Sequence, residues 1–447
     1  MHDAKLCLPL RQTLCLPLFP LTSSPSMASV KFFLLSCSFF YFLYQVHAQT
    51  SFLPDSVLLP VTKDISTFQY ITQIDYGTSQ LPTKLVVDLG SPFLLVDCVS
   101  GHVSFKRIIP SCSIQCSMAK AFHLGNNSCF SGTSRPGNHP STCDIFTENG
   151  ITRVISRGEL AEDIVAVQAV EDGKIIKVDH FLFVCGPTFL LNGLARGAQG
   201  VLGLGRSPVS LPSQLAAAFD FHKKFATCLS SSNGFILFRN MGSDSIFSSE
   251  ISRSLTYTPL VSNPGGNPQE YFINVRSIKI NGKRLALGQE GIKGTKISTT
   301  VPYTTLESSI YGTFVKAYIK AANGMNMTRV APLAPFGLCF SSKGIGVTEL
   351  GAKVPAIELV LQSEMVKWRI HGRNSMVVVS EEMMCLGLLD GGLDSKTSIV
   401  IGGFQLEDTF LDFDLATLML GFSLPLRMRQ TSCSDLLLES ATLKDSL

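Results

Sequence analysis

The chain has few charged residues and no basic cluster. Charged side chains make up 16% of its 447 residues, and the formal net charge is +3. No block of lysine and arginine is interleaved with aromatic residues, so nucleic acid is a poor partner. The mild positive charge is compatible with an acidic protein or an anionic matrix polymer, and equally with no specific partner.

Several motifs of enzyme chemistry are also missing. No serine stands in a Gly-x-Ser-x-Gly elbow, so a Ser-His-Asp triad has no support. The stretch Gly200–Gly205 lacks the spacing and the lysine of a phosphate loop, and we interpret its glycines as places of close backbone packing. No Cys-x-x-Cys pair occurs, which favours disulfides over zinc among the cysteines near His102, His123 and His139. We predict no cofactor and no metal.

The sequence contains a single candidate secretion signal and no later membrane span. A basic start at Met27–Lys31 precedes an apolar run, Phe32–Tyr44, that is short for a bilayer. The small residues ending at Ala48 are typical of a cleavage site, which predicts a signal peptide over 27–48 and no membrane contact after its removal. We interpret residues 1–26 as an extension of the gene model and predict that they are disordered.

Secretion makes the cysteine count informative. Three of the 13 cysteines precede residue 49, and an even set of ten in an oxidising compartment predicts five disulfides. These ten are Cys98, Cys112, Cys116, Cys129, Cys143, Cys185, Cys228, Cys339, Cys385 and Cys433. Asn126 and Asn326 stand in Asn-x-Ser/Thr triplets and are predicted glycosylation sites.

The remaining pattern is rich in short strands and repeats once. Because 447 residues exceed one ordinary core, we predict two lobes, 49–255 and 256–447. In each half an apolar strand enters a tight polar turn, and a second apolar strand that ends in glycines follows much later. The economical fold is an all-β, two-lobed protein with a central cleft and few short helices, one of them over 308–322. The segment 112–143 is predicted to be a surface loop held by its cysteines.

One acid, Asp88, lies between an apolar run and a glycine turn, where a strand would deliver a carboxylate into the cleft. The surrounding residues resemble the pepsin-like aspartic protease family in its plant branch. Asp88-Leu89-Gly90-Ser91 stands where that family has Asp-Thr-Gly-Ser, and the stretches 200–215 and 401–415 resemble the closing strand and helix of each lobe. The resemblance extends over about residues 52–440 of the chain.

The resemblance is closer to one group within that branch. This group contains basic 7S globulin, the extracellular dermal glycoprotein, xyloglucan-endoglucanase inhibitors and wheat-type xylanase inhibitors. Shared features include Leu95-Val96-Asp97-Cys98, Arg157-Gly158-Glu159-Leu160 and Gln405-Leu406-Glu407-Asp408. A lobe-by-lobe assignment of the cysteines predicts Cys339–Cys385 within the second lobe, together with Cys98–Cys185 and Cys228–Cys433. The four cysteines from 112 to 143 allow three connectivities.

Compared with the family pattern, the chain lacks several catalytic residues. An aspartic protease needs two carboxylates that share one proton about a water molecule. The family pattern puts the second acid at Ser298, followed by Thr299 and Thr300, and a serine hydroxyl cannot share that proton. Leu89 replaces the threonine after the first acid, so we expect the hydroxyl that holds the acid turn together to be missing. The flap segment 149–156 lacks the family's tyrosine. We therefore predict no ordinary catalysis and interpret Asp88 as a relic kept for hydrogen bonds within its turn.

Three other acids are candidates to replace the missing one. Glu307 follows the second acid turn at the start of the predicted helix, where a carboxylate favours the helix N-terminus. Asp390 precedes two glycines, a pattern that favours a hairpin turn. Asp97 is expected to make a structural hydrogen bond beside Cys98. None of these three predicts a catalytic partner for Asp88.

The resemblance implies a secreted inhibitor of microbial cell-wall glycosidases, either xylanases or xyloglucan endoglucanases. In the endoglucanase inhibitors, an arginine precedes the Ile-Val-Ile-Gly-Gly strand, and Lys396 stands there in this chain. A second arginine precedes a glycosylated Asn-x-Thr, where this chain has Met325, and Arg329 is a nearby substitute. Lysine keeps the charge but loses the two-pronged hydrogen bonding of arginine. The alternative interpretation of Lys396 is a solvated loop lysine.

Two further functions stay open at this point. One is a storage or peptide-binding protein of the cell wall, as in basic 7S globulin. The other is an endopeptidase of atypical mechanism. In each case the expected location is extracellular, in the apoplast or the cell wall.

Overall fold

The computed structural model describes residues 53–77, 80–98, 107–121, 142–170, 173–240, 249–262, 267–288, 291–393 and 395–442. The predicted signal peptide, residues 1–26, Cys129 and Asn126 lie outside these ranges. Everything below concerns the unit that begins at Pro54.

The first lobe is built almost wholly of strands, as predicted. They are β1 (Ser56–Lys63), β2 (Tyr70–Tyr76), β3 (Leu81–Asp88), β4 (Leu94–Asp97), β5 (Arg107–Ile108), β6 (Asp144–Glu148), β7 (Ile155–Gln168), β8 (Ile175–Gly186), β9 (Gly200–Gly203), β10 (Lys224–Cys228) and β11 (Asn233–Arg239). Three helices and a 3₁₀ turn accompany them: α1 (Ile114–Lys120), α2 (Leu211–Phe219), α3 (Ser249–Arg253) and the turn Thr188–Leu191.

The second lobe has shorter strands in several small sheets. They are β12 (Thr256–Pro259), β13 (Tyr271–Ile273), β14 (Ser277–Ile280), β15 (Lys283–Arg284), β16 (Thr295–Ile297), β17 (Thr304–Leu306), β18 (Arg329–Val330), β19 (Cys339–Ser341), β20 (Val347–Thr348), β21 (Gly351–Ala352), β22 (Ile357–Val360), β23 (Lys367–Ile370), β24 (Met376–Ser380), β25 (Met383–Leu386), β26 (Leu388–Asp390), β27 (Ile399–Ile401), β28 (Phe410–Asp414) and β29 (Met419–Phe422). Its helices are α4 (Ser308–Asn323), α5 (Gly372–Ser375), α6 (Gly403–Leu406) and α7 (Cys433–Thr442), with a 3₁₀ turn at Leu426–Arg429.

One sheet runs through both lobes. Its order is β12-β29-β28-β10-β11-β1-β2-β3-β9-β4-β8-β7-β5, with β6 paired to β7. The strands of the two halves meet where β10 pairs with β28, and there the rings of Phe225 and Phe413 stack with centroids 4.8 Å apart. Since both rings are fully buried, the apolar core is continuous across the junction. The boundary at 255/256 stays a prediction.

The internal repeat predicted from the sequence is present in the strand pairing. In the first lobe β3 pairs in parallel with β9, and β4 pairs antiparallel with the same strand. In the second lobe β16 and β17 pair with β27 in the same two senses. A Cβ on Gly203 would lie 2.1 Å from the carbonyl oxygen of Phe93, so only glycine fits this crossing. The interpretation of the glycines as close-packing positions is confirmed.

The predicted surface loop over 112–143 needs a correction. Its first part is helical, because Ser113 caps α1 by accepting a hydrogen bond from the backbone N–H of Cys116 at 3.1 Å. Cys116 is fully buried in this helix, where it anchors the segment to the first lobe. The polar composition of the segment hid the short helix, since capping and one buried face suffice to form it.

Four disulfides join the described cysteines. Cys98–Cys185, Cys228–Cys433 and Cys339–Cys385 are the pairs predicted from the lobes. The fourth, Cys116–Cys143, selects one of the three connectivities that the sequence left open. Cys112 is exposed, and Cys129, the other remaining cysteine of the segment, lies outside the described residues.

Candidate functional site

Asp88 is the last residue of β3 and lies in the cleft between the lobes. It is 7% exposed, and its Oδ1 accepts a hydrogen bond from the backbone N–H of Gly90 at 2.8 Å. Burial raises the pKa of this carboxyl above its ordinary value, because the charged form loses contact with water. The hydrogen bond within the turn is the one that the relic interpretation predicted.

Ser298 occupies the equivalent place in the second lobe. It follows β16 as Asp88 ends β3, and its backbone N–H donates to the carbonyl of Ile401 at 3.0 Å. Its side chain is buried, and its hydroxyl lies 3.0 Å from that of Thr300. A hydroxyl held in this way supplies no titratable proton near neutral pH, so the cleft has one carboxyl where a symmetric pair would need two.

Thr299 joins the two turns across the lobes, which the sequence did not reveal. Its hydroxyl donates to the carbonyl of Val87 at 2.8 Å and accepts from the backbone N–H of Leu89 at 3.2 Å. The expectation that Leu89 removes the hydroxyl that holds the acid turn is therefore corrected in part. Leu89 itself is fully buried and makes no such bond, but the threonine of the opposite lobe satisfies both backbone groups.

The flap covers the acid directly. It is the turn between β6 and β7, and a Cβ on Gly150 would lie 2.8 Å from Oδ2 of Asp88 and 3.3 Å from Thr300. Asn149 holds the turn, since its Oδ1 accepts from the backbone N–H groups of Ile151 and Thr152 at 2.7 and 2.9 Å. The flap therefore lacks the family's tyrosine, and its tip, Gly150, lies against the carboxyl of Asp88.

A buried ion pair stands beside Asp88. Nζ of Lys296, on β16, lies 2.5 Å from Oε1 of Glu270, and Lys296 is 8% exposed. The Glu270 side chain packs against Gly90, with its Cγ 3.3 Å from where a Cβ would be. Lys296 lowers the pKa of Asp88 and Glu270 raises it, and both effects are smaller than that of burial. Sequence reasoning missed both residues; the available signal was a lysine inside the apolar strand before Ser298.

The other acids considered from the sequence have structural hydrogen bonds. Glu307 caps α4, because its carboxylate accepts from the backbone N–H of Ser309 at 3.3 Å. Oδ1 of Asp390 accepts from the Ser308 hydroxyl at 2.6 Å and from the backbone N–H of Gly392 at 3.0 Å. Both arrangements agree with the helix and turn roles predicted for them.

The candidate inhibitory residues lie on the surface at two separate places. Lys396 is exposed in the loop before β27, near the start of α4, where the Glu307 N–H donates to the carbonyl of Ser398. Met325 and Arg329 are exposed beyond the other end of α4. That helix has 16 residues and is therefore about 24 Å long. The two loops would contact a target at different points.

Asn326, the second predicted glycosylation site, lies beside Met325. It is exposed and has a positive φ of 59° in a turn, so a glycan there would meet solvent. Its occupancy stays a prediction.

No group of three or more His, Cys, Asp or Glu side chains in the described part of the chain is arranged to hold a metal ion. No helix among the described residues is long and apolar enough to cross a membrane.

The repeated strand units, the continuous sheet and the covered cleft acid define the class. The protein has the two-lobed, mostly β fold of pepsin-like proteins. Of the two equivalent positions in the cleft, one has an acid, Asp88, and the other has a serine, Ser298. The family described as "Xylanase inhibitor N-terminal" matches residues 70–240, and "Xylanase inhibitor C-terminal" matches residues 270–424. The chain belongs to this xylanase-inhibitor-like family of pepsin-like proteins.

Three relatives show the range of names within the family. "Probable aspartic proteinase GIP2" of Nicotiana benthamiana is 46% identical over 87% of this chain and 93% of its own length. "Gamma conglutin 1" of Prunus dulcis is 40% identical over 86% of this chain and 89% of its own. "Basic 7S globulin" of Glycine max is 35% identical over 90% and 96%.

Solved structures agree with the fold. A structure titled "Crystal structure of edgp" superposes with a TM-score of 0.79 at 46% identity, covering 87% of this chain and 99% of the other. The soybean basic 7S globulin structure gives 0.73 at 34% identity, covering 86% and 99%. The predicted family and fold are confirmed.

Proposed function

We propose that this protein is a secreted, non-catalytic pepsin-like protein that inhibits microbial cell-wall glycosidases, of the xylanase or xyloglucan-endoglucanase class. The observation that carries the proposal is that Ser298 stands in the second lobe at the position equivalent to Asp88 in the first. A cleft that has lost one member of its acid pair, and whose remaining acid lies under Gly150, keeps the frame of a protease without its proton-sharing chemistry. Such a frame serves best to display loops.

The loop before β27 supports glycosidases as targets. Glycosidases cleave with two carboxyl groups about 5–10 Å apart, for which a cation is the natural plug. Lys396 is exposed, and no ion pair joins it to another residue of the described ranges. A lysine supplies a point charge instead of the two-pronged contact of arginine, so we expect weaker inhibition than an arginine would give.

The test is inhibition of purified enzymes by the mature chain, produced with its disulfides by secretion. Fungal xylanase and xyloglucan endoglucanase are assayed against increasing inhibitor, and at least one should slow in a saturable way. Lys396→Ala should weaken inhibition about tenfold or more, and Lys396→Arg should strengthen it. Lys343→Ala is the control, since Lys343 is an exposed lysine of the same lobe whose ion pair with Glu382 lies on the surface. No slowing at a large molar excess would overturn the proposal.

A storage or peptide-binding protein of the cell wall is the second candidate. The relatives named gamma conglutin and basic 7S globulin favour it. The cleft geometry argues against a peptide in the usual position, because the flap tip already contacts Asp88. A peptide-binding function would therefore need the flap to open, and hydrogen exchange of residues 149–156 with and without peptide would detect that opening.

An atypical endopeptidase is the third candidate. One relative is named a probable aspartic proteinase, and Glu270 places a second carboxylate beside the acid turn. The Oε1 atom of that carboxylate is already bound by Nζ of Lys296 at 2.5 Å, so it is not free to bond to Asp88. Peptide cleavage at acidic pH that is abolished by Asp88→Ala would restore the enzyme interpretation.

A further inference from the structure

The four-stranded sheet of the second lobe, β15-β14-β22-β23, has a charged outer face. Its inner face is apolar and buried, since Ile278, Leu359 and Trp368 are each at most 3% exposed. Every position of these strands that is not buried carries a lysine, an arginine or a glutamate. The strands, all of whose residues the structure describes, therefore lack the exposed apolar residues that are typical of the centre of a protein–protein interface.

The strand register aligns four of these charged side chains in one row. Lys279 lies opposite Arg284 on one side and opposite Glu358 on the other, and Glu358 in turn lies opposite Arg369. Directly paired residues of antiparallel strands point to the same face of a sheet. Since neighbouring strands are about 4.8 Å apart, the row crosses the sheet over about 14 Å, with an arginine at each end.

At one end of the row a single acid is shared by two cations. Glu364, in the turn between β22 and β23, accepts hydrogen bonds from Nζ of Lys279 at 2.6 Å and from the guanidinium of Arg284. These bonds lower the pKa of Glu364, so its carboxyl is ionised at mildly acidic pH. One negative charge balances only one of the two cations, and the Arg284 side chain is 58% exposed to solvent.

The other end of the row repeats this arrangement. Glu358 lies 3.4 Å from Nζ of Lys367 and 3.1 Å from Nε of Arg369. Again one carboxylate is shared by two cations, and the Arg369 side chain is 49% exposed. The face therefore presents an exposed guanidinium at each end and carries more positive than negative charge.

The positive charge of the chain is concentrated at this sheet. The segments 276–284 and 357–370, which form the sheet, contain six lysines and arginines and two glutamates. The whole chain has 37 lysines and arginines against 34 aspartates and glutamates. The excess at the sheet is therefore larger than the net charge of the whole chain, and folding assembles it from two segments that are far apart in the sequence.

We propose that this face binds an acidic polysaccharide of the uronate class, as an extended chain that crosses the four strands along the row. A small anion would reach only one of the two guanidinium groups, about 14 Å apart, whereas a polymer with a carboxylate on each sugar reaches both. Arginine holds a carboxylate through two parallel N–H donors, and complementary charge draws such a polymer to the face. The surface uses neither Asp88 nor Lys396, so this binding is independent of glycosidase inhibition.

The test measures binding of the mature chain to immobilised polygalacturonate at low and at high salt. The parent should bind, and its affinity should fall steeply with salt, because the Debye length shortens from about 10 Å at 0.1 M to about 3 Å at 1 M. The same polymer with its carboxyls methyl-esterified should not bind. The double variant Arg284→Gln, Arg369→Gln should bind polygalacturonate at least about tenfold more weakly.

The double variant Arg107→Gln, Arg157→Gln is the matched control. It removes the same net charge from two exposed arginines of the first lobe that also pair with acids, and it should bind nearly as well as the parent. Equal losses in the two double variants would overturn the surface, since net charge alone would then attract the polymer. A parent that does not bind would overturn it too. Binding to poly-L-glutamate as tight as to polygalacturonate would overturn a polysaccharide as the specific partner.

Thermal unfolding midpoints check that the variants fold. We expect the sheet to tolerate the loss of its two end arginines, because a lysine still pairs with each of its acids. Should the double variant not fold, Arg369→Gln alone is compared with Arg107→Gln alone. The first should then bind polygalacturonate more weakly than the second, and equal affinities would overturn the surface.

Discussion

The two turns that meet in the cleft differ in which side chain of a pepsin-like site they retain. The first-lobe turn keeps an acid, Asp88, followed by the apolar Leu89. The second-lobe turn has lost its acid at Ser298 but keeps the hydroxyl of Thr299, which bonds to both Val87 and Leu89. Each turn therefore supplies what the other lacks.

This difference separates two requirements that coincide in an active protease. Joining the turns needs buried backbone groups to be satisfied, and one threonine hydroxyl acting as donor and acceptor suffices for two of them. Proton sharing needs two carboxyls, and a serine cannot replace one. The cleft can consequently lose its chemistry while its lobes stay connected, and the following variants test that division.

Thr299→Val should have the largest effect. Valine has the same shape but leaves the carbonyl of Val87 and the N–H of Leu89 without their partner, at a cost of about 2–4 kcal/mol in the free energy of unfolding. Urea denaturation at neutral pH measures it. Thr300→Val is the control, because Thr300 is half-buried and bonds only within its own turn. Equal losses of unfolding free energy in the two variants would show that the contact between the turns stabilises the protein no more than a hydrogen bond within one turn.

Ser298→Asp would put a second carboxyl in the cleft, and we expect it to destabilise the folded protein. A second acid near the covered Asp88 must take up a proton or repel it, which we expect to cost about 1–3 kcal/mol at neutral pH and less at acidic pH. Ser298→Asn has the same size without the charge and serves as control. An aspartate variant as stable at pH 7 as the asparagine variant would contradict the burial of this site.

Gly150→Ala should loosen the flap. Its methyl group would lie 2.8 Å from Oδ2 of Asp88, so the turn has to move, at a cost of about 1–2 kcal/mol if the hairpin shifts as a unit. Faster hydrogen exchange over residues 149–156 is the expected readout. Gly312→Ala, in α4 with nothing within 4 Å of the new Cβ, should stabilise the protein slightly instead.

Asp88→Asn should have the smallest effect, and unlike the three preceding variants it should stabilise the folded protein at neutral pH. Because burial raises the pKa of Asp88, the folded protein holds this proton to higher pH than the unfolded chain does. The parent therefore loses stability as the pH rises through the folded pKa, whereas the asparagine variant does not. The variant should be more stable at neutral pH, by about 1 kcal/mol or less, and equal at acidic pH. Denaturation midpoints from pH 3 to 8 measure this, and a gap that widens on acidification would refute it.

Much of the fold and part of the site could be predicted from the sequence. Alternating and apolar runs set the strands, and α4 was expected over 308–322 and is observed over Ser308–Asn323. The Asn-Gly pair at 281–282 is a sequence typical of a type I′ hairpin, and both residues have the positive φ that this turn requires. The short helix α1 was missed, because a polar segment with one buried face carries little periodic signal over seven residues.

The sequence by itself determined which groups the cleft contains. It established that a serine stands at the position of the second acid, that Leu89 brings no hydroxyl, and that ten cysteines follow residue 48. Those facts are local, since each depends on a residue and its near neighbours along a strand.

Only the tertiary structure decided how distant groups combine. The hydroxyl of Thr299 reaches a turn 210 positions away, Lys296 finds Glu270, and Gly150 comes to rest on Asp88. The register of the sheet that joins the lobes sets these contacts, and the packing of residues far apart in the chain sets that register.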